Sequence, residues 1–345
     1  MTLQVSPQTK RVFHLSLPIF AELLLQLLVG NMDQFMISHF GSAAVAAIGN
    51  GNQVMNVVII VLTTMSTAAT ILLTQHIGAG RVGKECSEIV TVAVTVSAVF
   101  SFLVGLFLLL EPELVFQLLR TPEDAFDGAC LYTRIVGGTV LLQGLYIQLC
   151  AVLRSYTLLK EVVVLSVSMN LLNVVGNAIL INGFFGFPQM GVAGAAVATV
   201  ISQVVSAVLT VRCIHGSQGM PWHLQLKNIR IERSVLLAIC RIGLPGAAQS
   251  ALYSISNMTI QSAINGFGTV AVAAWSVYGK IDFLFWMTVS SFGIAVTTFA
   301  GQNFGARQYD RVRRGTMTCL AMTAGTTLCI SLALYPSAQL LFRLF

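Results

Sequence analysis

Long apolar stretches separated by short polar connectors dominate the chain. A transmembrane helix needs about 20 consecutive apolar residues. Nine stretches meet this requirement, at residues 15–38, 53–77, 88–110, 126–152, 161–182, 190–212, 236–264, 270–299 and 314–336. The pattern predicts an all-α polytopic membrane protein with nine transmembrane helices, which we number in chain order as the first to ninth predicted helix.

The connectors between these stretches alternate in charge. Fifteen of the 19 Lys and Arg residues are the N-terminal Lys10 and Arg11 and those of every second connector, counted with the residues that flank it. The acidic residues Glu111, Glu113 and Glu123 lie in one of the intervening connectors. Because basic connectors stay on the cytoplasmic side, we expect a multi-pass protein of the cell inner (plasma) membrane with a cytoplasmic N-terminus. This placement favours a topological role for the basic residues, and we expect the lipid bilayer but no nucleic acid as a partner.

Composition and motifs argue against an enzyme. Charged residues make up 9% of the chain, compared with about 25% in a soluble domain. The sequence "GNGNQV" lacks the third glycine of a dinucleotide-binding loop, and there is no Walker, HExxH or Ser-His-Asp pattern. The seven cysteines have neither metal-site nor disulfide spacing. We therefore expect no enzymatic activity and no cofactor, with energy supplied by an ion gradient.

The chain contains an internal repeat. When the sequence is shifted by 227 positions, "LP" at 17–18 matches 244–245, "FG" at 40–41 matches 267–268, "AVAA" at 44–47 matches 271–274, and "GA" at 78–79 matches 305–306. The shift covers six predicted helices, so both copies cross the membrane in the same direction. Transporters often use such parallel repeats, with the substrate held between two lobes.

The repeat length predicts the domain organisation. We expect an N-lobe of six helices at residues 1–213, a cytoplasmic linker at 214–235 and a partial C-lobe of three helices at 236–345. Twice the shift exceeds the 345 residues of the chain, so counterparts of the fourth to sixth helices are missing. This predicts either a shortened gene product or a fragment of a twelve-helix protein.

The first predicted helix carries three polar residues on one stripe. At 100° per residue, Asp33 lies about 20° from Glu22 and Gln26 about 40° from it. Glu22, near the inner end, could line a cleft or equally snorkel to the interface. Asp33 lies deeper, with no basic residue on its helix face, and a carboxylate there must be protonated or bind a cation. We therefore consider Asp33 a functional residue.

Other predicted helices carry further polar faces. The fifth has Asn170, Asn173 and Asn177, and the sixth has Thr199, Gln203 and Ser206 behind the small-residue run "GVAGAAVAT", which permits close helix packing. Interhelical hydrogen bonding would explain such faces. Together with Asp33, their amide and hydroxyl oxygens also form a hard-oxygen set suited to Na⁺ or to proton exchange.

The repeated half has its own polar wall. The seventh predicted helix places Gln249, Tyr253 and Asn257 on one face, and the eighth carries Lys280 and Asp282. Lys280 and Asp282 point different ways because they are two residues apart on a helix. Trp275 and Trp286 fit packing or interfacial anchoring better than ligand stacking.

The chain resembles the multidrug and toxic compound extrusion (MATE) family over essentially its whole length. The resemblance rests on "LPIFAELLLQLLVGNMDQFMISHFG", on "NLLNVVGNAILI" with "GVAGAAVAT", and on "RIGLPGAAQSALYSISN" with "TTFAGQNFGARQYDRVRRG". It implies two six-helix lobes and export of organic cations and drugs against H⁺ or Na⁺. It also implies that Asp33, Asn173, Asn177 and Thr199 correspond to the first-lobe cation site, with Asp33 a possible Na⁺ ligand.

The chain departs from the family pattern at several points. Asn177 stands where some members have Asp, and "RSYTLLK" replaces a loop that usually contains Gly and Asp. The prediction is an ion-coupled antiporter with alternating access and a substrate cleft lined by Glu22, Gln26, Gln249, Tyr253, Asn257 and Asp282. Two alternatives remain open: a lipid-linked sugar flippase of the same superfamily, which a more cationic cleft would favour, and a truncated, non-transporting remnant. The sequence does not predict the oligomeric state.

Overall fold

The computed structural model describes residues 7–216, 232–267 and 269–344. The side chains of residues 7–11, 27–34 and 336–344, and of several positions between 255 and 280, lie outside this description. Within the described part, every regular element is helical. The elements are α1 (Pro7–Ser38), α2 (Ser42–Gly78), α3 (Lys84–Leu110), α4 (Pro112–Leu118), α5 (Glu123–Gly137), α6 (Val140–Ser155), α7 (Leu159–Asn182), a 3₁₀ turn (Phe184–Gly186), α8 (Gly191–Gly216), α9 (Arg233–Asn265), α10 (Thr269–Gly305) and α11 (Tyr309–Leu344).

Most of the long helices are apolar enough to cross a bilayer. Seven described helices pass this test, namely α2, α3 and α7–α11, and the count is eight if the bent pair α5–α6 forms one span. The described apolar part of α1, Val12–Gln26, is shorter than a span. The described residues therefore support a multi-pass membrane protein with seven or eight spans, whereas the sequence predicted nine.

The fourth predicted span is not one continuous helix. The stretch 126–152 was predicted as a single span, but α5 and α6 meet at a bend of 52°. Two glycines and Thr139 occupy the bend, and glycine lowers the cost of leaving helical geometry. The Thr139 backbone N–H turns back to the Val136 carbonyl at 3.1 Å, which closes α5 with a tight turn. The apolar pattern continues through the bend, so hydropathy alone did not reveal it.

The internal repeat extends to backbone geometry at the corners after α2 and α10. Ala79 N–H donates to the Gln75 carbonyl at 3.0 Å, and Ala306 N–H donates to the Gln302 carbonyl at 3.1 Å. One residue later, Gly80 (φ 73°) and Arg307 (φ 58°) both adopt the left-handed conformation. Each pair of matching residues is separated by the 227 positions found in the sequence. The two copies therefore turn out of their helices in the same way.

The described contacts between α1–α8 and α9–α11 concentrate at one end of the helices. We call this the basic end, because the Lys- and Arg-rich connectors lie there. One core cluster joins α1 and α7 to α10 and α11, and another joins α2 and α3 to α9. They consist of Val12, Leu15, Ile19, Leu159, Phe292, Ala295, Phe299 and Cys319, and of Ala68, Ala69, Val92, Ala93 and Ile239.

The opposite halves of α9 and α10 are more exposed. Leu252, Tyr253 and Ile260 on α9 are 64%, 46% and 44% exposed, and Tyr278 and Trp286 on α10 are each 45% exposed. The predicted linker overlaps residues 217–231, which lie outside the described part of the chain. Of its other residues, those up to Gly216 belong to α8 and those from Arg233 belong to α9.

Candidate functional site

A chain of hydrogen bonds joins α7 to α8 inside the bundle. Asn177 Nδ2 donates to Asn173 Oδ1 at 3.2 Å, and Asn173 Nδ2 donates to Thr199 Oγ1 at 3.2 Å. The Thr199 hydroxyl then donates to the Ala195 carbonyl at 2.9 Å. Asn173 and Asn177 are buried and Thr199 is partly buried. Three residues predicted to form a cation site are therefore in direct contact.

Small residues allow α7 and α8 to come close enough for this contact. A Cβ on Gly194 of α8 would lie 2.7 Å from the carbonyl carbon of Leu180 of α7, and a Cβ on Gly176 would lie 3.0 Å from the Cβ of Ala198. Such distances leave no room for larger side chains. The prediction that "GVAGAAVAT" permits close packing is confirmed. The spacing of Asn173 and Asn177 places both on the face of α7 that meets Thr199.

Asp33 belongs to α1, and its side chain lies outside the described part of the chain. Ile37, one helical turn later, is fully buried in a core cluster with Ile181 of α7 and Ala195 of α8. The outer part of α1 therefore packs beside the end of the helix pair that carries the Asn173–Thr199 contact.

Two further hydrogen bonds extend the polar interior of α1–α8. Thr139 Oγ1, at the bend between α5 and α6, donates to Gln203 Oε1 at 2.9 Å, and Tyr132 Oη donates to Asn52 Oδ1 at 2.9 Å. Gln203 lies one helical turn after Thr199 on α8. The sequence placed Gln203 on this polar face but did not single out Thr139, Tyr132 or Asn52. The glycine pair before Thr139 was the available signal for a bend.

Glu22 forms a buried ion pair instead of lining an open cleft. Its Oε1 lies 2.7 Å from a terminal guanidinium nitrogen of Arg154 at the end of α6, and the side chain of Glu22 is 4% exposed. The sequence predicted Arg154 in a connector, and Glu22 either in the substrate cleft or, equally, at the membrane interface. With its carboxylate engaged by Arg154, Glu22 fixes α1 against α6. Gln26, one turn later on α1, is exposed.

The predicted cleft residues of α9 and α10 form an open aromatic and polar surface. Tyr253 of α9 meets Trp286 of α10 edge to face, with ring centroids 5.1 Å apart. Tyr278 Oη donates to Asp282 Oδ1 at 3.3 Å and stacks on Trp275 at 4.9 Å. Gln249 and Asn257 are exposed, and Asp282 is partly buried. Trp286 thus contacts a predicted cleft residue, which sequence reasoning did not anticipate.

No set of three or more His, Cys, Asp or Glu side chains with metal-site geometry occurs among the described residues. The described oxygens near Asn173 are neutral amide, hydroxyl and carbonyl oxygens. Such a set can bind a hard monovalent cation together with one carboxylate, or can hydrogen-bond a carboxyl group as it gains and loses a proton.

The chain matches a family of known proteins and several individual relatives. The sequence model of the MatE family matches residues 18–179 and 245–345. The "Uncharacterized transporter YisQ" of Bacillus subtilis is 27% identical over 342 residues, covering 98% of this chain and 74% of that protein. The "Probable multidrug resistance protein NorM" of Thermotoga maritima is 26% identical over 341 residues, covering 97% and 72%.

A solved structure has the same fold. The crystal structure of a mutant of the Vibrio cholerae MATE transporter VcmN superposes with a TM-score of 0.89 at 22% identity, covering 97% of this chain and 74% of that one. At this identity the match concerns the arrangement of helices. It extends over both α1–α8 and α9–α11.

Proposed function

Because the chain belongs to the MatE family of multidrug transporters, we propose that it acts in an exporter that exchanges organic cations and drugs for H⁺ or Na⁺. The exporter would open alternately to the two sides of the membrane, with the basic end facing the cytoplasm. The carrying observation is the hydrogen-bonded contact of Asn173, Asn177 and Thr199 between two apolar membrane helices. Polar side chains in such helices are costly unless they serve a partner or a pathway.

In the proposed cation site, Asp33 supplies the negative charge and the α7–α8 contact supplies neutral oxygens. Asp33 lies one turn before the buried Ile37 of α1, beside the end of this helix pair. Asn177 carries no charge, so Asp33 alone would gain and lose the proton or Na⁺. An ion can drive transport only if it binds one facing state more tightly than the other.

In the proposed substrate cleft, the exposed surface of α9 and α10 forms one wall. Tyr253 and Trp286 offer aromatic rings to an organic cation, and Asp282 offers the opposite charge. Gln26, Gln249 and Asn257 provide hydrogen-bonding groups at the edges. Glu22 is excluded from substrate contact in this proposal, because Arg154 already occupies its carboxylate.

The test is uptake of ethidium into inside-out membrane vesicles that contain the protein, under an imposed pH or Na⁺ gradient. Asn173→Ala and Thr199→Val should each slow gradient-driven uptake about tenfold or more, since each removes an oxygen of the site. Asn170→Ala is the matched control. Asn170 is a buried asparagine on the same predicted face of α7, but its amide donates to the Ser166 carbonyl of its own helix at 2.9 Å, whereas Asn173 donates to Thr199 of α8, so Asn170→Ala should transport at about the wild-type rate. If Asn173→Ala and Asn170→Ala transport equally well, the proposed site is wrong.

A further inference from the structure

Two glycines bring the ends of α2 and α10 into backbone contact. A Cβ on Gly78 of α2 would lie 2.6 Å from the carbonyl carbon of Gln302 on α10. A Cβ on Gly305 of α10 would lie 2.7 Å from the carbonyl carbon of Gln75 on α2. In both cases the obstacle is the backbone carbonyl itself, which cannot rotate away as a flexible side chain can. Only glycine fits either position in this arrangement.

The contact is symmetric with respect to the internal repeat. Gly78 matches Gly305 and Gln75 matches Gln302 under the 227-residue shift. Gly78 therefore packs on the carbonyl of Gln302, three positions before Gly305, and Gly305 packs on the carbonyl of Gln75, three positions before Gly78. This is the pattern of a two-fold axis passing between the helix ends, in which the same surface of each copy meets itself.

One side-chain hydrogen bond reinforces the contact. Gln302 Nε2 of α10 donates to the carbonyl of Ser155, the last residue of α6, at 2.9 Å. Ser155 follows Arg154, whose guanidinium is fixed by the buried carboxylate of Glu22. The ion pair between Arg154 and Glu22 therefore fixes the end of α6, where the Ser155 carbonyl accepts the hydrogen bond from Gln302.

The contact lies at the basic end, where the described packing between α1–α8 and α9–α11 is concentrated. Gly301, one turn before Gly305, packs directly on the fully buried Thr74 side chain of α2. Nearby, Phe299 and Cys319 share a buried cluster with Val12 and Leu159 from the N-terminal helices. The exposed Tyr253 of α9 and Tyr278 of α10 lie toward the opposite end. The structure is therefore closed at the basic end.

We propose that Gly78 and Gly305 form a backbone clasp that holds the basic end of the cleft shut and must separate before the protein opens to that side. The contact itself is a property of the fold and does not depend on the proposed transport function. Only its role in opening and closing the cleft rests on that function. A methyl group at either glycine would strain the closed state and leave an open state unstrained. Because the substitution raises the free energy of the closed state and leaves that of the open state unchanged, it shifts the population toward the open state by that difference in free energy.

Two native cysteines can report this opening. Cys319 is buried in the cluster that joins α10 and α11 to α1 and α7, so separation at the basic end would expose it. Cys150 is 1% exposed in a core cluster whose buried members all belong to α1–α8, so it becomes accessible only if that part of the protein loosens. Reaction rates of the two thiols with N-ethylmaleimide, followed by mass spectrometry on purified protein, separate opening from unfolding.

We expect Gly78→Ala and Gly305→Ala to raise the Cys319 rate about tenfold or more, as for overpacking of a tight contact, with the Cys150 rate unchanged. Gly49→Ala in α2 and Gly293→Ala in α10 are the matched controls, because a Cβ at either position meets nothing within 4 Å. They should leave both rates at the wild-type values. Wild-type Cys319 rates in both clasp variants would overturn the proposal.

If an alanine variant raises both thiol rates, it has unfolded the protein, and Gln302→Ala then decides. This substitution removes the hydrogen bond to Ser155 without adding an atom to the contact. It should raise the Cys319 rate several-fold with Cys150 unchanged, and an unchanged Cys319 rate would refute the clasp. Neither measurement needs a substrate or a gradient, so failure of the clasp and failure of the transport proposal give different results.

Discussion

The Glu22–Arg154 pair should dominate the stability of the contact between α1 and α6. Glu22→Gln keeps the shape of the side chain and removes its charge. The guanidinium of Arg154 would then remain largely buried without a charged partner, with its side chain 19% exposed. We expect this single change to destabilise the protein strongly, although no residue of the proposed cleft is altered.

The size of the effect follows from burial. Removing one partner of a buried ion pair costs about 3–5 kcal/mol, because the other charge stays desolvated. The glutamine oxygen can still accept a hydrogen bond from Arg154, which recovers about 1 kcal/mol. The free energy of unfolding should therefore fall by about 2–4 kcal/mol.

The assay is unfolding in mixed micelles with increasing sodium dodecyl sulfate, followed by tryptophan fluorescence. Glu22→Gln combined with Arg154→Gln should be more stable than Glu22→Gln alone, since the double variant buries no unpaired charge. The control is Glu113→Gln, which breaks the exposed pair Glu113–Arg134, with side chains 40% and 43% exposed. Because both groups of this pair remain in contact with solvent, the variant should lower the free energy of unfolding far less than Glu22→Gln does. If Glu22→Gln is as stable as the wild type, the ion pair does not hold α1 to α6.

Three further predictions concern the frame around the site. Gly194→Ala should destabilise the α7–α8 contact by about 1–3 kcal/mol in the same unfolding assay, because its Cβ would press on the Leu180 carbonyl. Thr139→Val should cost about 1–3 kcal/mol, because it leaves the buried Gln203 oxygen without its donor. Glu113 has a lowered pKa, chiefly because its own backbone N–H at the start of α4 donates to the carboxylate. Its stabilising effect is therefore present above the ordinary carboxyl pKa and is lost as pH falls through the lowered value, so Glu113→Gln should flatten the acid side of the stability profile.

Two of these predictions have a control variant, and the third has an outcome that would contradict it. Gly49→Ala places a methyl group where nothing lies within 4 Å, so it should not lower stability as Gly194→Ala does. Thr64→Val should be milder than Thr139→Val, since the Thr64 hydroxyl donates to the Ile60 carbonyl of its own helix at 2.8 Å and its loss leaves no side-chain acceptor without a donor. An acid profile of Glu113→Gln that superimposes on the wild-type profile would show that this carboxylate contributes nothing.

Much of the fold follows from local patterns in the sequence. Apolar length predicted most of the described membrane helices, although not the bend between α5 and α6. The 227-residue shift predicted two corners that have the same backbone hydrogen bonds. The contact between Asn173 and Thr199 could also be predicted. Helical spacing determined the face on which each residue lies, and the small-residue run indicated where the two helices could pack closely. These features depend on residues close together in sequence or on a direct comparison of two segments.

Features that depend on distant partners could not be predicted in the same way. Glu22 and Arg154 are 132 positions apart. The sequence was consistent with Glu22 near the inner end of the first predicted helix and with Arg154 in a connector, and gave no sign that the two would pair. The bend at Thr139 interrupts a stretch whose hydropathy is continuous. The clasp at Gly78 and Gly305 depends on how two helix ends meet, and in the sequence these glycines served only as landmarks of the repeat.

The most direct test of the central claim is gradient-driven ethidium accumulation in inside-out vesicles with Asp33→Asn. If Asp33 carries the coupling ion, an imposed pH or Na⁺ gradient should drive accumulation in the wild type and none in Asp33→Asn. The variant should be present at the wild-type level with the wild-type rate of Cys150 alkylation. Accumulation by Asp33→Asn at the wild-type rate would contradict the account.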